Sequence, residues 1–329
     1  MSAVIEDFIY TAEPVGSQRL VDKYGWSVSS ATVRNELSAL EELGYLSHPH
    51  TSAGRVPTDK GYRFYVDALS EDGTGQVAEL SGYSVGLTME VGDLMRETSH
   101  FLAGLTRTMA VVYAPDIKRE RVKHIDLIGL GSAKVMIVVI LSNGSISKQL
   151  FDSAQDAPPE TLLMLEKRLN RAFVGELVDD LIGVDVPNEG MSASEAALLR
   201  RLCATVVDSL SIDVSERVYH DGAARLLEYP ELGGLEEMRQ ALTLIEHNFR
   251  VFEWLREAAK DGELIVRIGA ENELELVGYT VIASGYEVRG EAAGALGIIG
   301  PRRMDYRRAI TAVCQIADKL GNALGELEG

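Results

Sequence analysis

The first 69 residues alternate short amphipathic segments with residues that end helices, and this order restricts the possible folds more than any other feature of the chain. Three segments place apolar residues at helical spacing. "AVIEDFI" is followed by Pro14 and Gly16, "QRLVDKYG" ends at Gly25, and "ATVRNELSALEELG" ends at Gly44. Ser17 and the serines of "SVSS" offer hydroxyl groups that can cap the second and third helices.

A hairpin and a fourth helix are predicted after these three helices. "YLSHPHTSAGRVPT" indicates two short strands around "SAG", and "DKGYRFYVDAL" indicates a helix with Tyr62, Tyr65, Val66 and Leu69 on its inner face. The order of three helices and a hairpin is that of a winged helix-turn-helix. It is also compatible with a small protein-interaction module, and the order alone leaves both interpretations open.

The charge distribution excludes some partners and permits others. A formal net charge of −18 argues against a protein that coats nucleic acid or membrane with its whole surface. Residues 1–65 hold six basic and eight acidic residues, so most of the acidity lies further along the chain. Residues 47–65 hold three basic residues and one acidic residue, besides His48 and His50. A local DNA site is therefore compatible with the acidic chain.

The same sequence predicts a cytoplasmic protein with no membrane partner. Its two cysteines, Cys203 and Cys314, fit neither a disulfide framework nor a cysteine zinc site, which favours a reducing compartment. "MSAVIEDFIY" lacks the order of a signal peptide. The longest apolar run, "VMIVVIL", is far too short to span a bilayer.

No catalytic, cofactor or metal site is predicted. "GLGSAK" and "GALGIIG" match neither the dinucleotide-binding nor the P-loop pattern, and are better interpreted as turn and strand glycines. The pair His48 and His50 lacks a third ligand type nearby. The chain shows no G-x-S-x-G, no H-E-x-x-H and no neighbouring Cys–His pair, so we expect that it is not an enzyme.

The remaining sequence indicates an α+β multidomain protein. A Gly/Ser/acid-rich linker is predicted in 70–87, and "SNGS" between two apolar runs predicts a hairpin. Leucine stripes mark two amphipathic helices between 158 and 210, and a heptad-like helix is predicted in 235–255. Three strands and a final amphipathic helix follow.

Three stretches resemble one family of proteins. "TAEPVGS", "SSATVRNELSALEELGYLSHPHTSAGRVPTDKGYRFYVD" and "GALGIIGPRRMDY" are similar to the bacterial heat-inducible transcription repressor HrcA family. The family usually begins its first helix several residues earlier and often has proline where Ser30 stands. The resemblance implies a winged-helix domain (1–69), a linker (70–87), a GAF-like α+β domain (88–152 and 230–329) and an inserted dimerisation domain (153–229), with the helices of 158–225 as the expected dimer contact.

The resemblance also implies a function. Such a protein represses heat-shock chaperone operons by binding an inverted-repeat, CIRCE-type operator as a homodimer. A GroEL-type chaperonin keeps it active, and heat relieves repression. Two alternatives remain open: a winged-helix regulator whose GAF-like domain senses a small ligand, and an enzyme with a fused regulatory winged helix.

The third helix is the expected reading element. Arg pairs bidentately with guanine and Asn with adenine, so Arg34 and Asn35 on its outer face suit the major groove, although a solvated face is the alternative. Glu41 and Glu42 also face outward, near the end of this helix. Arg55 is expected on the wing, with Lys60 and Arg63 near phosphate or simply solvated. The predicted DNA-contacting residues are Ser17, Ser30, Thr32, Arg34, Asn35, Ser38, His48, His50, Thr51, Ser52, Arg55, Lys60 and Arg63.

Overall fold

The N-terminal region has the predicted order of elements. The computed structural model describes residues 1–49, 54–71, 90–153, 157–210, 217–229, 255, 257, 264–272 and 276–327. The first elements are α1 (Ser2–Thr11), α2 (Ser17–Tyr24), α3 (Ser30–Glu42), β1 (Leu46–Ser47), β2 (Val56–Pro57) and α4 (Asp59–Glu71). The predicted linker, 70–87, lies outside the described residues apart from the end of α4.

Backbone conformations explain where these helices end. α1 ends at Ala12 and α2 at Gly25, both in the left-handed region, where glycine is favoured and other residues are uncommon. The Ser29 hydroxyl accepts a hydrogen bond of 3.1 Å from the Thr32 N–H and caps α3. Ser17 was predicted to cap α2, but it is the first residue of that helix and is buried; Gly16 holds the cap position with no side-chain bond.

The chain continues through two groups of elements. α5 (Val91–Thr106) and β3 (Met109–Tyr113) come first, followed by β4 (Val122–Gly131), β5 (Lys134–Leu141), β6 (Ile146–Asp152), α6 (Pro159–Phe173) and α7 (Ala193–Leu210). The chain then forms β7 (Val218–Asp221), β8 (Leu264–Ile268), β9 (Tyr279–Val288), β10 (Glu291–Pro301) and α8 (Tyr306–Leu327).

One antiparallel sheet organises the larger domain. Its strand order is β7-β3-β10-β9-β8, and α5 and α8 pack on it. The same apolar core includes α4: the rings of Tyr62 and Tyr65 lie 5.5 and 6.5 Å from the ring of Tyr306 on α8. The winged-helix region and the α+β domain therefore share a core through α4.

A second core forms around the three-stranded sheet β4-β5-β6, whose inner face packs on α6 and α7. Val135, Ile137 and Val139 alternate along β5 and are buried against both leucine stripes, because successive strand residues point to opposite faces. This grouping differs from the predicted boundaries, which assigned 88–152 to the larger domain and 153–229 to an insertion. Strands β4 to β6 pack instead with the two helices that follow them.

Along the chain, the residues of the second core lie between β3 and β7, which are neighbouring strands of the large sheet. β3 and β7 are antiparallel partners, with Tyr113 opposite Val218. Beyond them the Ala114 N–H donates to the Arg217 carbonyl at 3.0 Å, and the Arg217 guanidinium donates to the Ala114 carbonyl at 3.1 Å and to Asp116 at 3.0 Å. The chain thus leaves and re-enters the large sheet at one narrow neck.

Several sequence predictions are confirmed. The "SNGS" hairpin joins β5 and β6, with Gly144 at φ +82°, and strands and a final helix occupy the predicted C-terminal segments. The heptad-like segment 235–255 lies outside the described residues apart from its last residue. None of the helices in the described ranges is long and apolar enough to cross a membrane.

Candidate nucleic-acid interface

The candidate recognition surface is the outer face of α3. Val33 and Leu37 bury the inner face against α1 and α2, and Thr32, Arg34 and Asn35 are exposed. Arg34 and Asn35 are adjacent, so a bidentate guanidinium and an amide are presented together. Within the described residues no side chain pairs with the Arg34 guanidinium. This face can therefore offer both groups to base edges.

The predicted hydroxyl contacts have different environments. Thr32 is exposed and its hydroxyl lies 2.9 Å from that of Ser29, whereas Ser30, the first residue of α3, is half-buried. The Ser38 hydroxyl donates to the Arg34 carbonyl at 3.1 Å, one turn back. Ser17 is only 7% exposed. The hydroxyls near the start of α3 are accessible, but that of Ser17 is not presented to a ligand.

The base of the wing is fixed by backbone contacts. Ser47 pairs with Val56 in the hairpin, and Arg55 and Val15 exchange two backbone hydrogen bonds of 2.8 and 2.9 Å. Gly54 has no room for a side chain, because a Cβ there would lie 2.6 Å from the backbone of Val15. The predicted contacts His50, Thr51 and Ser52 lie outside the described residues.

Glu41 connects α3, the candidate recognition helix, to both sides of the wing. One carboxylate oxygen accepts from Nδ1 of His48, before the wing, and the other lies 2.9 Å from Nε of Arg55, after it. The Arg55 side chain is only 16% exposed. The sequence predicts that Arg55 contacts DNA from the wing; in the structure its guanidinium lies beside Glu41, and the DNA contact stays a prediction. Sequence reasoning placed Glu41 on the outer face but missed this contact, because no local pattern pairs a helix residue with cations seven and fourteen residues later.

Lys60 and Arg63 also have partners within the chain. The Lys60 ammonium donates to the Leu43 carbonyl at 2.9 Å and lies 4.5 Å from the centre of the Tyr45 ring, so it caps the end of α3. The Arg63 guanidinium forms a bidentate ion pair with Glu271 of the α+β domain. Their phosphate contacts stay predictions.

A buried carboxylate engages two further cations. Asp7 is buried on α1, and its oxygens lie 2.7 Å from Nε of Arg19 and 2.8 Å from Nζ of Lys23. The hydrogen bond to Asp7 raises the pKa of Lys23. These contacts join α1 to α2, and they leave α3 as the described element that presents an unpaired cation among the predicted DNA contacts.

Similarity to known proteins identifies the family. Residues 92–310 match the family described as "HrcA protein C terminal domain". The heat-inducible transcription repressor HrcA of Acidothermus cellulolyticus is 38% identical over 335 residues, which cover 99% of this chain and 97% of that protein. The chain belongs to the HrcA family of heat-inducible transcription repressors. The HrcA repressor of Nocardioides sp. is also 38% identical over 333 residues, which cover 99% of this chain and 97% of that protein.

A solved structure supports the fold of this HrcA-family chain. A hypothetical protein determined at 2.2 Å superposes with a TM-score of 0.75 at 22% identity, covering 99% of this chain and 97% of that one. The α+β architecture with N-terminal helices and a small sheet is thereby confirmed. As an HrcA-family member the chain is a transcription repressor and not an enzyme, in agreement with the sequence.

One cavity of the large domain is too small for a ligand. It lies between the sheet and Leu255, has a volume of about 10 Å³ and is bordered by Val111, Val281 and Ile298. That volume is at the lower limit for a single water molecule. "GALGIIG" lies inside β10, and "GLGSAK" forms the β4–β5 turn, with Gly131 at φ +78°. Both glycine-rich stretches are therefore accounted for as strand and turn backbone.

Proposed function

We propose that the chain represses transcription by binding an inverted-repeat operator as a homodimer, with α3 of each chain in a major groove. The observation that carries the proposal is the adjacent, exposed pair Arg34 and Asn35 on α3, a capped amphipathic helix. The chain belongs to a family of transcription repressors. Operators with two-fold symmetry match proteins with two-fold symmetry. The chaperone operons as targets, and a GroEL-type chaperonin as the partner that keeps the repressor active, are inferred from the family alone.

The proposed roles follow from the environment of each residue. Arg34 and Asn35 read base edges, while Thr32 and Ser30, beside the N–H groups at the start of α3, approach phosphate. His48 and Arg55 hold the wing through Glu41. The wing residues His50, Thr51 and Ser52 stay predicted DNA contacts.

The proposed dimer surface is the outer face of the β4-β5-β6 sheet. The leucine stripes of α6 and α7, which suggested the dimer contact from sequence, are buried inside one chain. On the other face of the sheet, Ile128 is paired with Met136, and Met136 with Leu150. Ile128 is 47% exposed and Leu150 61%. An exposed apolar cluster of this kind is unfavourable in water and suits a second copy of the same surface.

The two apolar cores can be assigned to the two domains that the family resemblance implies beyond the winged helix. We assign the domain of the five-stranded sheet to the GAF-like domain, and the unit that leaves it at the β3–β7 neck to the inserted dimerisation domain. In support, the neck returns the chain to an adjacent strand, and the inserted unit has its own apolar core.

An operator-binding assay tests the function. Fluorescence polarisation would compare a palindromic operator with a scrambled sequence of equal length, with and without chaperonin. We expect specific binding to exceed non-specific binding by about 10³-fold or more, as is usual for site-specific DNA-binding proteins. Chaperonin should increase the fraction of active repressor. Equal affinity for both DNAs would contradict the proposal.

A further inference from the structure

The Glu41 carboxylate couples three parts of the candidate interface. It lies on the recognition helix, and its two oxygens engage His48 and Arg55, which flank the wing. A carboxylate only accepts hydrogen bonds, so the contacting Nδ1 of His48 carries the proton. No other described carboxylate of the winged-helix region contacts both sides of the wing.

This contact changes what the wing offers to phosphate. Free cations near DNA attract any sequence, because counterion release from the backbone does not depend on the bases. Arg55 is mostly buried beside Glu41, so its charge is neutralised within the protein. Asp7 and Glu271 similarly engage Arg19, Lys23 and Arg63. The DNA-binding region therefore retains little free charge with which to bind random sequences.

We propose that Glu41 is a specificity-determining residue that lowers affinity for random DNA by keeping Arg55 away from phosphate. The inference rests on the proposed operator binding and deepens it. Glu41 acts through the wing and contacts no base. Discrimination then comes from Arg34 and Asn35, because the sequence-independent contribution of the wing is suppressed.

The Glu41→Gln variant tests the proposal. Glutamine keeps the size of the side chain and removes the charge, so Arg55 becomes available to phosphate. We expect affinity for random DNA to rise about tenfold at low salt, which corresponds to about 1.4 kcal/mol. The slope of log K against log salt should steepen by about 0.9 for each additional phosphate contact. The ratio of operator to random affinity should fall.

Glu42→Gln is the matched control, because Glu42 is the exposed neighbour and the change in net charge is identical. It should change affinity for random DNA much less than Glu41→Gln. In the double variant Glu41→Gln/Arg55→Ala the increase in affinity for random DNA should disappear, because the cation that Glu41→Gln releases is absent.

Three results would overturn the inference. One is a Glu41→Gln variant that behaves as Glu42→Gln does on random DNA. Another is a gain that persists in the double variant. The third is loss of affinity for operator and random DNA together with a lower melting temperature, which indicates a structural role only. A wild-type protein that does not prefer operator to random DNA would instead contradict the proposed function.

Discussion

The Arg63 guanidinium on α4 binds the Glu271 carboxylate of the α+β domain through two parallel contacts, one of which is 2.8 Å from Nε to Oε1. Nη2 of Arg63 also donates to the Val266 carbonyl at 2.5 Å. Nearby, Asp59 accepts from the Ala270 N–H at 2.9 Å and from Arg302 at 3.0 Å. These bonds fix the orientation of the winged-helix region on the larger domain.

The contribution of this pair to stability should depend on pH. Burial opposes the ionisation of Glu271, but hydrogen bonds from Arg63 and the Ile268 N–H lower its pKa below the ordinary value, about 4.3. The stabilisation is therefore complete above that value and is lost as the pH falls through the lower folded-state pKa. We expect Glu271→Gln to lower the free energy of unfolding by about 1 kcal/mol at pH 7. The value is modest because both side chains are about one-third exposed.

Thermal unfolding from pH 7 to pH 3 measures this effect. The difference in melting temperature between wild type and Glu271→Gln should narrow below about pH 4, where the wild-type carboxylate becomes protonated. Glu36→Gln, on the exposed face of α3, serves as a control with the same charge change. A difference that stays constant down to pH 3 would argue against the assigned role of the ion pair.

Gly269→Ala should disrupt the same domain contact. Gly269 has φ +54°, and a Cβ there would overlap the Asp59 carboxylate. Gly290→Ala is a matched control, because Gly290 has φ +81° and open space around it. The control should lower the free energy of unfolding, measured with denaturant, by about 1 kcal/mol through backbone strain alone. Gly269→Ala should lower it by about 1–2 kcal/mol more, because the hydrogen bonds of Asp59 are also lost. Equal costs would show that Asp59 moves aside freely.

Arg34→Ala and Asn35→Ala should each weaken operator binding by about 1–3 kcal/mol and relax base preference at one position of each half-site. Affinity for random DNA should change less, because the lost contacts read bases. Competition binding with single-base operator variants measures both effects. If both variants lost the same factor on operator and random DNA, the assignment of α3 as the reading element would be wrong.

Ile128→Lys should weaken the dimer. A lysine at Ile128, on the edge strand β4, places a further charge in the exposed apolar cluster where two copies are proposed to meet. A loss of about 2 kcal/mol of dimerisation free energy corresponds to a roughly thirtyfold higher Kd. Sedimentation equilibrium across a concentration series measures the shift. Ile182→Lys is the control, since Ile182 is 82% exposed and lies outside this sheet. Comparable dissociation of both variants, or a wild-type monomer, would contradict the proposed surface.

Local patterns predicted the elements of the winged-helix region well, because its helices are short, strongly amphipathic and separated by glycine and proline. The same patterns located the β5–β6 turn, where Gly144 at φ +82° takes the left-handed position that glycine favours in a short hairpin loop. Apolar periodicity shows which face of an element is buried. It does not show which partner covers that face.

Long-range pairing accounts for what the sequence did not predict. The leucine stripes of α6 and α7 suggested a second chain, but β4 to β6 of the same chain cover them. Arg55, Lys60 and Arg63 suggested phosphate contacts, but their acceptors are Glu41, the Leu43 carbonyl and Glu271. The pair Arg63 and Glu271 is separated by 208 residues, so no local spacing could reveal it.

The neck between β3 and β7 has a consequence for how such a protein can diversify. Because the chain leaves and re-enters on neighbouring antiparallel strands, everything beyond Ala114 and Arg217 is topologically an enlarged hairpin loop. A short turn could close the same two strands without altering the order of the large sheet. The unit with its own core, which is the proposed site of assembly, is thus topologically separable from the rest of the chain, and either part can be exchanged while the other keeps its core.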